Sequence, residues 1–401
     1  SWGKLGVSYD GNVSSPRIIS TLTSSSVQSM ACGAHHSACI TVAGDVWTWG
    51  KGFRGQLGHK AVQEEYSPRV VSLLRRQGAS KIVCGDDHTL VKCINGHVYV
   101  FGANSDAQLG LGDMVDRLIP IDIDVQYGMF ANDPIADVAA KGNISLLLTN
   151  TGKVYMFGDA MDQQRSHFRR PCHIHVIPKG DYISSVACSS NRAYALADAG
   201  RVYRWSARDV NLDPDESSAL EPFHAISGVF RLFCGANHMA VVCAVSHGLT
   251  ATMLTRQKVG AQSHDISNPN ESKLPDDASI PPLKIMPEFL DDFDGGTSSE
   301  SPSREGDGFM LTYGKGLEGR LGHGLTYTLS EASKLKPCKV EKLSKVSIAK
   351  IGCGKDSTFA ITDTGRLFTW GNQQFGKLGL NHSSGCQAVP QQVSTMAKFN
   401  V

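Results

Sequence analysis

Three histidines stand where they could do chemistry: His36, His88 and His238 each follow a cysteine, Cys32, Cys84 and Cys234, by four residues. Imidazole and thiol can ligate a metal or act as base and nucleophile, provided that they converge. Each pair belongs to a different copy of one repeated unit, so the three imidazoles are separated around the molecule. They are expected to be hydrogen-bonding corner residues, with no metal site, no catalytic residue and no cofactor. Gly50-Lys51-Gly52-Phe53-Arg54-Gly55 and Gly314-Lys315-Gly316-Leu317-Glu318-Gly319 both spell G-x-G-x-x-G, a string that cradles a pyrophosphate when it joins a strand to a helix. Here each leads into Leu-Gly and a polar loop and recurs in step with the repeat, which assigns both to structural turns.

The unit that positions these residues is clearest at Met30–Gly58, MACGAHHSACITVAGDVWTWGKGFRGQLG. Short apolar strands are expected at Val27–Cys32, Ser37–Val42 and Val46–Trp49, with Gly44 supplying the positive φ of a tight turn. From Cys32, glycine follows at an offset of 12 (Gly44), an aromatic at 15 (Trp47) and glycine at 18 (Gly50). The same offsets give Cys84, Gly96, Tyr99, Gly102; Ala140, Gly152, Tyr155, Gly158; Cys353, Gly365, Phe368, Gly371; and, with Ser206 in the last place, Cys188, Gly200, Tyr203. A sixth copy starts at Cys234, breaks off, and resumes at Phe309. A period of this length with four short strands per unit points to propeller blades. Trp49, Phe101, Phe157, Trp205, Tyr313 and Trp370 then belong to blade cores.

The segments CGAHHSACIT, CGDDHTLVKC, CGANHMAVVC, WGKGFRGQLGH, FGANSDAQLGLGD and YGKGLEGRLGHG resemble the repeats of the regulator-of-chromosome-condensation family, the RCC1-like propellers. The resemblance implies an all-β propeller of four-stranded antiparallel blades over the whole of 1–401. Units are expected at about 27–74, 79–125, 135–177, 183–226, 228–343 and 346–396, after a partial one at about 1–26. Ser1–Gly6 aligns with Gln374–Gly379, so the chain enters after the third strand of a unit, with Pro16–Ile19 as its fourth. This suggests a seven-bladed design with an incomplete first blade.

Eleven cysteines, an odd number without a C-x-x-C pair and with five at the register position, favour buried thiols in a reducing, intracellular setting, cytoplasmic in preference to nuclear. No apolar run is long enough for a membrane span. The net charge is +1. Residues 263–307 carry 11 acidic and 3 basic residues, net −8, which leaves +1 − (−8) = +9 for the rest. That excess is short of a dedicated nucleic-acid binder, so nucleic acid is not an expected partner. Residues 246–307 form an acidic Pro/Ser-rich insertion expected to be disordered. Within it, Ile285, Phe289, Leu290 and Phe293 beside acids read as a docking motif, and Ser301 before Pro302 as a phosphosite. Arg75 with Arg76, and Arg165 with Arg169 and Arg170, fall in connections and are candidate partner-binding residues.

The absence of a catalytic constellation and the divergent turns of units three and four favour a non-enzymatic protein–protein interaction scaffold, a module of a larger protein with protein partners. The alternative that the resemblance supplies is guanine-nucleotide exchange on a small Ran-like GTPase with chromatin association. That activity needs a protruding hairpin, for which the short units leave no room.

Overall fold

The computed structural model describes residues 2–8, 11–124, 128–159, 166, 168–175, 177–178, 180–206, 228–243, 309–324, 337–381 and 385–396. These build six antiparallel sheets whose strands follow one another in space as in sequence. Blade one is β1 (Val27–Cys32), β2 (His36–Thr41), β3 (Val46–Gly50) and β4 (Glu65–Val70). Blade two is β5 (Ala79–Cys84), β6 (His88–Cys93), β7 (Val98–Gly102) and β8 (Arg117–Asp122). Blade three is β9 (Ile135–Lys141), β10 (Ile144–Thr149), β11 (Val154–Gly158) and β12 (Cys172–His173). Blade four has three described strands, β13 (Ile183–Cys188), β14 (Ala193–Ala197) and β15 (Val202–Trp205). Blade five is β16 (Val229–Cys234), β17 (His238–Cys243), β18 (Phe309–Gly314) and β19 (Cys338–Lys339); blade six is β20 (Ile348–Cys353), β21 (Ser357–Thr362), β22 (Leu367–Asn372) and β23 (Cys386–Gln392).

The second strand of each blade is buried on both faces, which is why HSACIT and ISLLLT read as near-continuous apolar or small runs. Successive blades pack through their first strands, β1 on β5, β5 on β9, β9 on β13, β13 on β16 and β16 on β20. The core therefore lies between blades: Ala38, Ile40 and Val46 of blade one close on Ala79, Ile82 and Phe101 of blade two. Loop glycines complete these contacts. Gly58 lies on the Phe101 ring, Gly110 on Phe157 and Gly322 on Trp370, all at positive φ and with no room for a Cβ. The glycines of the Gly-x-Leu-Gly signal thus let one blade's loop touch the next blade's aromatic.

The blade count corrects the sequence reading. The described residues form six blades, and residues 2–8 and 11–26 contain no strand, only a short 3-10 turn at Ser20–Leu22. A lone fourth strand at Pro16–Ile19 has no neighbour with which to form a ladder. The segment instead braces blade one: the Lys4 carbonyl accepts from Trp49 Nε1 and Ser37 Oγ at 2.9 Å each, Gly6 lies on the Trp49 ring, and Leu22 joins Cys39 and Trp49. Its other end reaches blade six, where Gly376 meets the Ser14 backbone.

No first-strand packing comparable to the other five joins β20 to β1. Met30 shows the effect: it is 55% exposed, whereas its equivalents Ile82, Val138, Val186, Leu232 and Ile351 are at most 9% exposed. Phe359 and Ile361 on the facing side of blade six are half-buried where Ala38 and Ile40 are fully buried. The ring of described residues is open between blades six and one. Met30→Lys should therefore change stability by no more than about 0.5 kcal/mol, while Ile82→Lys, which buries an unpaired charge, should cost more than about 3 kcal/mol. Thermal melts of the two variants check this, and a large loss for Met30→Lys would mean that the face is covered.

Candidate functional site

The Cys-Gly-x-x-His corners turn from the first strand of a blade into the second, close to the ring axis. His36 Nε2 lies 2.9 Å from Thr89 Oγ1, His88 Nε2 2.8 Å from Ser145 Oγ, and His238 Nε2 2.7 Å from Thr358 Oγ1. Each hydroxyl belongs to the next blade and donates back to a loop carbonyl of the preceding one, Gln56, Gln108 and Arg320 respectively, at 2.8–2.9 Å. Because the hydroxyl proton is committed to that carbonyl, the imidazole must donate through Nε2–H, which fixes the neutral tautomer. Burial pushes the pKa of His36 down to about 4 and those of His88 and His238 to about 3. Neutral histidines committed to a donor role, each in its own blade, are neither a metal cluster nor a general base. Among the described residues no group of three or more His, Cys, Asp or Glu is placed to hold a metal ion.

The same corners explain the glycine after each register cysteine. A Cβ on Gly33 or Gly85 would overlap the ring of His36 or His88, and one on Gly235 would lie 2.8 Å from His238 Cε1. Where the histidine is absent the glycine is free to vary: blade three pairs Lys141 with Ile144 and blade four Ser189 with Arg192, while blade six keeps Gly354 opposite Ser357. Lys141 acts electrostatically on His36, Cys84, His238 and Cys353, groups of four different blades, which places its charge on the inner side of the ring. Backbone bonds link the corners in two arcs, Ala34 N donating to Asp86 O and Asp86 N to Gly142 O across blades one to three, and Ser190 N to Ala236 O and Ala236 N to Gly354 O across blades four to six.

The cysteines behave as small apolar residues. All eleven are free, and burial pushes up the thiols of Cys39, to about 11, and Cys353, to about 12, away from the reactive thiolate. The G-x-G-x-x-G strings end in tight loops rather than helices, with a 3-10 turn at Leu317–Gly319. Trp49, Phe101, Phe157, Trp205 and Trp370 are buried between blades, and Tyr313 is half-buried.

The candidate basic residues do not form one patch. Arg75 and Arg76 are exposed between β4 and β5. Arg169 and Arg170 lie between β11 and β12, and Arg169 is half-buried with its carbonyl accepting from Gly112 N at 2.8 Å. In an antiparallel blade, the connection from third to fourth strand and the connection to the next blade leave at opposite ends, so the two pairs face opposite sides. Arg165, Ile285, Phe289, Leu290, Phe293 and Ser301, with the whole of 246–307, lie outside the described residues. Sequence reasoning missed a cluster on the Arg169 side: buried Arg320 pairs with Asp356 at 3.1 Å and Glu318 at 3.5 Å, and Glu318 also accepts from Asn372 Nδ2 at 2.7 Å. The signal was the arginine inside the Gly-Arg-Leu-Gly turn, where blades one and two carry glutamine.

Blades stitched corner to corner, with glycine turns laid on the next blade's aromatic, define a repeat propeller. The family model of the regulator of chromosome condensation (RCC1) repeat matches residues 1–40, 43–91, 95–148, 307–361 and 364–401. The chain belongs to that family. It is 30% identical over 250 residues to human E3 ubiquitin-protein ligase HERC2, covering 59% of this chain and 5% of the ligase. It is 28% identical over 374 residues to mouse Protein RCC2, covering 92% of this chain and 63% of that protein. The chain thus spans a small part of one relative and under two thirds of the other. Its fold is similar to that of Prp20p from Saccharomyces cerevisiae, with a TM-score of 0.65 and 16% identity over 98% of this chain and 84% of that one.

Two outcomes test the corners. Gly85→Ala should destabilise by about 2 kcal/mol or more through overlap with His88, and adding His88→Ile should recover part of the loss, a coupling of about 1–3 kcal/mol in a double-mutant cycle read by denaturant melts. The lowered histidine pKa values predict stability that is present above about pH 6.5, the unfolded value, and lost as pH falls toward 4. Between pH 7 and 5.5 the loss should be about 1 kcal/mol per buried histidine, measured by urea melts across pH and reduced in a His88→Gln variant.

Proposed function

We propose that this propeller is a non-enzymatic protein-interaction scaffold, a module within a larger protein that works in a reducing, intracellular setting. The observation that carries this reading is the commitment of the corner histidines and the glycine strings to holding blades together. His36, His88 and His238 are buried, neutral and bonded to the next blade; most of the thiols are shielded; and the glycine strings are turns. The loops at the two ends of the blades are left for recognition, in keeping with function placed on loops of a rigid scaffold. The module reading is supported by the similarity to a stretch that makes up 5% of human HERC2, and the eleven free thiols fit the reducing setting.

Guanine-nucleotide exchange is the competing reading. The solved relative Prp20p is described by its binding to Gsp1p and histones, but at 16% identity the likeness bears on fold alone. The described sheets contain no extra hairpin beyond their blade strands. Nucleotide release from a panel of loaded small GTPases, Ran included, should stay within a few-fold of the intrinsic rate when this protein is added. An acceleration of a hundredfold or more on any member would overturn the scaffold reading.

A further inference from the structure

The loops between third and fourth strands emerge on the same side of the ring as the Cys-Gly-x-x-His corners, because connections in an antiparallel blade alternate ends. Two of these loops and the N-terminal brace that reaches both blades carry an outward aromatic: Phe375 on blade six, Trp2 on the brace and Phe53 on blade one. They are 66%, 45% and 43% exposed. Trp2 and Phe53 already touch edge to face, with ring centroids 5.9 Å apart. Phe375 precedes Gly376 as Trp2 precedes Gly3, and the two glycines make equivalent contacts one blade apart, on Ser14 and on Tyr66. The three rings therefore sit on one arc of the rim.

Two of the rings are also held in a conformation that bulky residues avoid. Trp2 has φ 56° and Phe375 φ 61°, in the left-handed region, where glycine would be relaxed. Neither ring gains burial in exchange. Glu318 takes the same conformation at the equivalent position, with φ 60°, so the turn imposes it; what sets Trp2 and Phe375 apart is an exposed ring held there, and strained exposed positions of this kind cluster at recognition sites.

Charge on this arc is of both signs, with Asp86 and Asp87 acting on His35 alongside the lysines. Lys4 and Lys51 both act on His35 and lower its pKa after burial has done so. Lys377 is exposed on the blade-six loop beside Lys355 and Arg320. The carboxylates near Lys377, Asp356 and Glu318, both pair with Arg320. Behind Trp2, Glu65 is taken up by Arg69 and Glu64 is engaged by the Tyr66 hydroxyl at 3.4 Å. Lys4, Lys51 and Lys377 take part in no ion pair among the described residues, and the three rings stay largely exposed although Trp2 and Phe53 touch.

We infer that the arc formed by Trp2, Phe53 and Phe375 with Lys4, Lys51 and Lys377 is a docking surface for an acidic peptide segment of a partner protein that carries interspersed aliphatic or aromatic side chains. The rings take the apolar side chains, the ammonium groups take the carboxylates, and a purely acidic or purely apolar chain satisfies only half of the surface. This reading deepens the scaffold assignment and rests on it.

The test uses the full chain and a fluorescein-labelled twelve-residue peptide alternating glutamate with leucine, followed by anisotropy. Saturable binding is expected, weakened at least tenfold by Lys51→Glu with Lys377→Glu, by replacing the leucines with serine, or by replacing the glutamates with lysine. Phe375→Gly is the decisive variant, because it removes a ring and relieves a left-handed residue. It should weaken binding at least fivefold while leaving the melting temperature unchanged or raised. Absence of binding, or binding that ignores these substitutions, overturns the proposal, as does a Phe375→Gly variant that loses its fold, since the ring would then be structural. The GTPase panel reads out separately, so failure of the docking surface and failure of the scaffold reading are distinguishable.

Discussion

The relay from imidazole to hydroxyl to carbonyl is the interaction on which the rest of the molecule depends. In it, a buried His of one blade donates to a Thr or Ser of the next, and that hydroxyl donates back to the first blade's loop. Two polar groups that would each be costly to bury unpaired satisfy one another across the seam. The relay also fixes the distance at which two blades meet, and the apolar faces close around it. Its demands reach further along the chain: the ring of the histidine excludes any Cβ at Gly33, Gly85 and Gly235.

Where the relay is absent, apolar packing makes the seam. Blade three has Ile144 in place of histidine and Lys141 in place of glycine, and Ile144 and Leu146 close on Val186, Ala193 and Ala195 of blade four. Its own second strand still offers Ser145 to His88, so the seam on one side is intact while the other is altered. At blade one the hydroxyl role persists without an imidazole, Ser37 donating to the Lys4 carbonyl of the N-terminal brace. A quasi-repetitive fold tolerates such local exchanges because each unit touches only its neighbours.

An interior this committed leaves recognition to the rims. Arg75 and Arg76 on one side, and the aromatic and basic arc around Trp2, Phe53 and Phe375 on the other, are separate surfaces on one rigid body.

The sequence by itself determined the blade. Offsets of 12, 15 and 18 from each register residue survive because turn glycines and alternating strands are local requirements. The burial of Trp49, Phe101, Phe157, Trp205 and Trp370 was legible from the same periodicity, as was the structural role of His36, His88 and His238, whereas the register thiol of Cys32 is exposed. What the sequence could not give was the relation between units. The number of blades depends on whether Pro16–Ile19 finds a strand to pair with, and in the tertiary structure it does not. The separation of Arg75 from Arg169, and the convergence of Trp2 with Phe53 across 51 positions, follow from strand direction and ring order. Those are long-range facts, and only the closing of one blade upon the next decides them.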